Sequence, residues 1–303
     1  MATLKGQNLR LILNSDEDYK CVAMATSCTI NLTANVQSAE TKDDMGMASK
    51  PTVTSRTGQV SVESLSVADV AVILTAIKNQ TKFLLMWDET TADLNKNQDP
   101  EGAAFARQAS AILNDATFVF NDRENATKSL QFVLVSAPVA ASAISTQATS
   151  AQTYTKGQFV RLFLGSDNTV TPAKVIAAAK TLQVHVSVQL EDATTKDSEG
   201  TFQVQEVTGI SYDITTNALV RSGDVITSSV QGQDLASIES IHESESPVKF
   251  QIANVSGANQ RTKGSVLMSG SVIVSSLSIN AANRQNATYD ATLTGYGDYV
   301  VGS

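Results

Sequence analysis

The residue types that most often carry catalysis or bind metal ions are scarce in this chain of 303 residues, which contains two histidines and two cysteines. Cys21 and Cys28 have neither zinc-ligand nor redox spacing. His185 lies on the polar side of an alternating segment, and we interpret it as a side chain that faces solvent rather than as a base. His242 lies among glutamates, where a surface histidine is expected and a weak adventitious metal site is the alternative.

Motifs that assemble reactive groups are also missing from the sequence. It contains no Gly-x-Ser-x-Gly, no phosphate-binding glycine-rich loop and no Cys-x-x-Cys. Carboxylates are plentiful, but none forms a pair that recurs in a pocket-like context. The sequence therefore predicts a protein that is not an enzyme and that uses no cofactor and no catalytic metal.

Composition and charge exclude further classes. Hydrophobic residues make up 42% of the chain and aromatics 5%, and the formal net charge is −8 without a basic cluster. Tight, phosphate-neutralising DNA binding is excluded by that balance. The most apolar stretch, Val67 to Ile77, is too short to cross a bilayer and contains Asp69, and the first ten residues lack a signal-peptide pattern. We expect synthesis in a cytoplasm and no membrane partner.

The chain repeats itself. A Lys-Gly-Gln start followed by an apolar strand occurs at residues 5–13 and again at 156–164. Further matches follow in the same order: Thr41-Lys42-Asp43 with Thr195-Lys196-Asp197, Thr57-Gly58 with Thr208-Gly209, and residues 123–127 with 284–288. We predict two tandem domains, 1–137 and 156–303, joined by a linker at 138–155 that is rich in Ala, Ser, Thr and Gln.

Each copy shows the hydrophobic alternation of half-buried strands. In the first copy we predict strands at 8–13, 28–36, 59–65, 83–87, 110–120 and 129–135, with a polar loop from Gln37 to Ser55. A helix should begin at Ser66, with Asp69 completing a capping box, and its counterpart should begin at Asp234. The second copy adds strands at 182–190, 248–253, 271–279 and 290–294, with a loop from Glu191 to Glu206.

The fold class that follows is mainly β, with two tandem β-sandwich or open-barrel domains and one helix in each.

Three stretches of the sequence resemble a known protein family. They are the opening Lys-Gly-Gln strand, the segment from Ala25 to Leu32 that leads into Ala39-Glu40-Thr41-Lys42-Asp43, and the strand from Gly58 to Leu65 before the helix. On these stretches the chain resembles the major tail (tail tube) proteins of long-tailed phages of the siphophage type. Members of that family usually carry one such domain, whereas this chain has two.

The resemblance implies a structural subunit that assembles with itself into stacked rings around a DNA-conducting channel, in a virion tail built in the host cytoplasm. Two domains in one chain imply trimeric rings with pseudo-sixfold symmetry. The implied partners are the tape-measure protein and the tail terminator and tip proteins, with DNA passing unbound during ejection. The loops would supply inter-subunit or inter-ring contacts at Thr41, Lys42, Asp43, Thr195, Lys196 and Asp197.

Two alternatives stay open. An inner-tube protein of a contractile injection system would share the fold and differ in having a sheath partner. A β-sandwich adhesin would need clustered aromatics for sugar stacking, and here Trp87 is the only tryptophan.

Overall fold

The computed structural model describes residues 9–15, 18–21, 25–38, 51–65, 70–89, 106–140, 155–176, 178–195, 202–220, 225–227, 230–256 and 262–302. Within them the chain is mainly β, as predicted, with two nine-residue α-helices. The first half contains β1 (Leu9–Ser15), β2 (Asp18–Cys21), β3 (Ala25–Ser38), β4 (Pro51–Leu65), α1 (Val70–Lys78), β5 (Lys82–Glu89), β6 (Ala106–Asn121), β7 (Thr127–Leu134) and β8 (Val139–Ala140).

The second half begins with a short 3-10 helix, Gly157–Phe159. It continues with β9 (Val160–Leu164), β10 (Lys174–Ile176), β11 (Ala179–Asp192), β12 (Gln205–Leu219), β13 (Val225–Thr227), β14 (Val230–Gln233), α2 (Leu235–Glu243), β15 (Val248–Ser256), β16 (Thr262–Asn280) and β17 (Thr288–Val301). The short strands β2, β8, β10, β13 and β14 are absent from the sequence-based expectations, because segments of two to four residues carry too little periodicity to be recognised.

Several strands are longer than their alternating cores suggested. The loop expected from Gln37 to Ser55 is wrong at both ends, since β3 continues to Ser38 and β4 begins at Pro51. The loop expected from Glu191 to Glu206 likewise loses its ends to β11 and β12. Backbone pairing between the neighbouring strands extends these hairpins, and side-chain bonds such as that from Asn35 Nδ2 to Ser55 Oγ, at 2.8 Å, support them although both faces are polar.

The central feature is a run of eight antiparallel strands that crosses from one half of the chain to the other. Pairing between neighbours gives the order β3-β4-β7-β6-β11-β12-β17-β16. On the opposite side of β6 from β7, β5 pairs with the start of β6 and β1 pairs with β5. In the second half β15 pairs with the start of β16, and β9 pairs with β15.

The two halves therefore have the same strand order, and their registers correspond. Cys28 pairs with Val62 as Leu182 pairs with Thr216. The turn that follows β6 has Arg123 in the left-handed region, and the turn that follows β16 has Arg284 there, with φ values of 64° and 60°. The match between Thr57-Gly58 and Thr208-Gly209 does not follow these registers, because Gly58 pairs with Leu32 whereas Gly209 pairs with Gln189.

The helices cover the apolar face of the sheets. α1 buries Val70, Leu74 and Ile77, whose spacing places them on one face of the helix. α2 begins directly after Asp234, whose side chain accepts a hydrogen bond from the backbone N–H of Ser237 at 2.9 Å, so the predicted start is confirmed. Residues 66–69, with the expected capping box of α1, lie outside the described part. No described helix is long and apolar enough to span a membrane.

One continuous hydrophobic core extends through both halves. The segment expected to be a linker is partly structured, since Val139 and Ala140 pair with Gln108 and Arg107 at the start of β6. Residues 141–154 lie outside the described part of the chain. A shared core and a shared sheet mean that the two halves pack as neighbours rather than as separated units.

Candidate functional site

The joint between the two halves is a strand pairing. The end of β6, from Asp115 to Asn121, pairs antiparallel with the start of β11, from Thr181 to Ser187. On the core face of this joint Phe118 and Phe120 lie beside Val184 and Leu182, and all four side chains are buried. Main-chain hydrogen bonds and buried apolar area thus hold the halves together, as in a single sheet.

On the polar face of the same joint, His185 lies between two carboxylates. Its Nε2 is 2.6 Å from Asp115 Oδ2 on β6, and its Nδ1 is 3.0 Å from Asp213 Oδ1 on β12. Partial burial favours the neutral ring, but the hydrogen bonds to Asp213 and Asp115 and the charges of these carboxylates outweigh it, so the pKa of His185 is raised. Because both ring nitrogens face acceptors, the protonated ring satisfies the site best.

The sequence placed His185 on a polar strand face but missed this ion-paired arrangement. Asp115 is 70 residues away in the chain, and only the β6–β11 register brings the two side chains together. No local pattern could have indicated that pairing. We call His185, Asp115 and Asp213 the joint clasp.

At one end of the joint the backbone is packed very closely. Gly157 donates its N–H to the carbonyl of Glu124 at 2.9 Å, and Asp122 donates its N–H to the carbonyl of Lys180 at 2.8 Å. A Cβ placed on Gly157 would clash with the carbonyl oxygen of Asn121. The Lys-Gly-Gln motif of the second half thus has a structural role, since only glycine fits this approach.

A second contact between the halves lies beneath α1. Tyr299, at the end of β17, is buried and donates its hydroxyl to the backbone carbonyl of Leu74 at 2.9 Å. Lys78 donates to the carbonyl of Tyr299 at 2.6 Å and forms an ion pair with Asp298 at 2.9 Å. Burial raises the pKa of Tyr299 far above its ordinary value, and the nearby charge of Asp298 adds to the shift.

The polar face of the eight-stranded run is acidic. One row across six strands consists of Thr29, Ser61, Gln131, Asp115, Ser187 and Ser211. Neighbouring rows add Glu63, Asp213 and Asp290. Within these rows the charged side chains are carboxylates, together with His185. Such a surface repels a phosphate backbone.

The two ends of the run are strand edges. Among the described residues, β3 pairs with β4 alone, and the part of β16 from Ser276 to Asn280 pairs with β17 alone. Leu32 on β3 is 56% exposed and Ile279 on β16 is 49% exposed. These apolar side chains lie on strand edges that no described strand covers.

Six residues were proposed from the sequence as inter-subunit contacts, and one of them lies in the described part of the chain. Thr41, Lys42, Asp43, Lys196 and Asp197 lie outside the described residues. Thr195 is described, three residues after the end of β11. Nearby, Asp192 accepts hydrogen bonds from the hydroxyl of Thr194 and from its backbone N–H, the latter at 2.9 Å, and both bonds lower the pKa of the Asp192 carboxyl.

The remaining candidate groups are isolated from one another. His242 is exposed, and its Nδ1 lies 2.8 Å from the carbonyl oxygen of Val274. Cys28 is a free thiol on β3 whose pKa is raised by burial. Over the described ranges, no group of three or more His, Cys, Asp or Glu side chains is placed to hold a metal ion. The joint and the two open edges are thus the features that bear on function.

Comparison with known proteins gives structural neighbours alone. No family model matches the sequence, and no curated protein matches it. Two similar structures are the tail of an empty gene transfer agent (GTA) particle with C6 symmetry and the virion of a native GTA particle, each with TM-score 0.35 and 13% identity. They cover 48% and 49% of this chain, and 95% and 98% of the matched chains.

A third similar structure is the SPP1 tail tube, with TM-score 0.37 and 15% identity, covering 48% of this chain and 78% of that one. Likeness at this level does not assign the chain to a family.

Proposed function

We propose that this protein is a structural subunit of a phage tail tube of the siphophage type, which assembles with itself into stacked rings that form a DNA-conducting channel. The observation that carries the proposal is the run of eight antiparallel strands with one face buried against the core and one face polar. Such a sheet can form part of a tube wall, with its polar face toward the lumen.

The charge of the polar face supports a channel through which DNA slides. Glu63, Asp115, Asp213 and Asp290 give it negative charge, and the rows described above contain no lysine or arginine. A surface of this kind keeps the phosphate backbone at a distance, whereas a binding surface would neutralise it. DNA would pass through the lumen during ejection without sequence-specific contacts.

We further propose that the chain is a tandem duplication, with domains at 1–137 and 156–303 joined by residues 138–155. The repeated sequence matches support it, and so do the equal strand orders and registers of the two halves. Two domains in each chain favour rings of three chains with pseudo-sixfold symmetry.

In this proposal the rings stack in a virion tail that is built in the host cytoplasm. The further partners would be a tape-measure protein and the terminator and tip proteins. We propose ring contacts at Thr41, Lys42, Asp43, Thr195, Lys196 and Asp197 on the basis of their position in the sequence. A structural subunit of this kind requires no catalytic site.

The experiment is negative-stain electron microscopy of the purified protein across a concentration series, with light scattering alongside. We expect hollow rings or tubes with a regular axial repeat, and the number of chains in a ring can be counted from end-on views. A protein that stays monomeric across the whole series would contradict the proposal. Tubes that bind an outer sheath would favour the contractile-system alternative.

A further inference from the structure

We infer that the two open edges of the eight-stranded run pair with each other between copies of this chain, β16 of one copy against β3 of the next, in the register of the internal joint. The inference deepens the proposed function and rests on it for ring closure. It specifies the occupant of both edges as a second copy of the same chain.

The internal joint supplies the geometry. β3 in the first half corresponds to β11 in the second, since each pairs with the strand that follows it in the chain. β6 corresponds to β16 for the same reason. The β6–β11 pairs include Val184 with Phe118 and Gln183 with Val119. These pairs can be transferred to the open edges by the registers of the two halves. Val184 with Phe118 then corresponds to Ile30 with Ile279, and Gln183 with Val119 corresponds to Thr29 with Asn280.

The apolar side chains of the two edges match under this register. Cys28, Ile30 and Leu32 alternate along one face of β3, and Leu277 and Ile279 alternate along one face of β16. In the internal joint the corresponding positions are filled by Leu182, Val184, Val186, Ala116 and Phe118, and all of them are buried. The open edges thus carry the apolar pattern of a joint whose partner strand is missing.

The edges also lack the protection that exposed strand edges normally have. Residues 27–33 and 276–282 contain no lysine, arginine, aspartate, glutamate or proline. Edge strands that must stay unpaired usually carry such residues, because bare edges aggregate. An uncharged edge of this length is best explained by a partner strand in the assembled state.

A head-to-tail contact of this type uses two different surfaces on each copy, so it propagates from chain to chain and closes when the curvature allows. All strands in the extended sheet would remain antiparallel, since β6 and β11 are antiparallel. One feature of the internal joint would not recur. The positions of His185, Asp213 and Asp115 are taken by Asn31, Gln59 and Ser276, so the contact between chains has no ionic clasp.

The test is disulfide cross-linking with cysteines placed across the proposed joint. In a Cys28→Ser background, Thr29→Cys is combined with Asn280→Cys, both at exposed positions. Directly opposed residues in an antiparallel pair have Cα atoms about 4.5–5.5 Å apart, within the range that a disulfide spans. We expect chain-to-chain cross-links that reducing agent removes, in most of the assembled protein.

Three controls test whether cross-linking is specific to the proposed register. Gln183→Cys with Val119→Cys tests the same pair type in the internal joint and should cross-link within one chain. Thr33→Cys with Asn280→Cys is four residues out of register and should not cross-link. The single variants Thr29→Cys and Asn280→Cys exclude pairing through Cys21.

The outcomes separate this inference from the proposed function. Rings or tubes that form without a cross-link between positions 29 and 280 would overturn the inferred joint and leave the tube intact. Equal cross-linking of the out-of-register pair would overturn the joint in the same way. Cross-linked open oligomers without a lumen would support the joint and contradict the tube. Failure both to assemble and to cross-link would contradict both.

Discussion

Strands β11 and β3 carry the same alternating pattern and differ in what lies beside them. In β11, which pairs with β6, Val184 and Val186 are 3% and 0% exposed. In β3, whose outer edge no described strand covers, the corresponding Ile30 is half-buried and Leu32 is 56% exposed. Burial in this protein therefore depends on the neighbouring strand as much as on the sequence of the strand itself.

The largest expected effect comes from placing a charge at these two matched positions. Val186→Lys puts an unpaired ammonium into the core and should destabilise the folded chain by about 4 kcal/mol or more. Leu32→Lys, at an exposed site, should change the free energy of unfolding by less than about 0.5 kcal/mol but prevent assembly. Urea denaturation and sedimentation velocity measure the two effects. A Leu32→Lys variant that assembles normally would show that the open edge of β3 is not needed for assembly.

The next effect concerns the close backbone approach at the joint. Gly157→Ala places a methyl group against the backbone of Asn121, which cannot rotate away as a side chain would. We expect a loss of about 1–3 kcal/mol in the free energy of unfolding, typical of overpacked sites. Gly297→Ala is an informative control, because a Cβ there meets nothing within 4 Å and the cost would come from its positive φ alone. Thermal unfolding of both variants tests whether Gly157 packs against the backbone of Asn121 too closely to accept a Cβ.

The joint clasp makes a smaller, pH-dependent contribution. The pKa of His185 is raised in the folded state, so its contribution is present below the ordinary pKa of histidine and is lost as pH rises through the raised value. His185→Gln should therefore lower stability by about 1 kcal/mol in mild acid and by little in mild alkali. Urea titrations of wild type and variant at about pH 5.5 and about pH 8.5 test this. An equal difference at both pH values would show that the ring acts only through packing.

The smallest effects come from two buried tyrosines. Tyr299→Phe removes the hydroxyl that bonds to Leu74 across the halves and should cost about 1 kcal/mol. The hydroxyl of Tyr289 is buried without a hydrogen-bond partner among the described residues, and burial raises its pKa to about 12. Tyr289→Phe should therefore leave stability unchanged or raise it. Calorimetry of the two variants side by side gives the sign of each change, and a loss in Tyr289→Phe as large as in Tyr299→Phe would refute this account.

The mainly β fold class, the two helices and the cores of most long strands were predicted from the sequence, but the 15-residue strand β12 was not. Alternation in segments such as Leu182–Leu190 is a local property, and it survives in the structure because one face of each strand packs against the core. The strand ends were missed, because residues such as Asn35 and Ser55 are polar on both faces and are held by their cross-strand partners.

Local segments and composition are enough to predict the alternating strands, the start of α2 at Asp234 and an acidic chain without a basic patch. The pairing of β6 with β11, the position of His185 between Asp115 and Asp213, and the open edges of β3 and β16 arise from contacts between distant segments. Strand pairing joins segments far apart in the chain, and its register depends on the summed fit of all pairs rather than on any local signal.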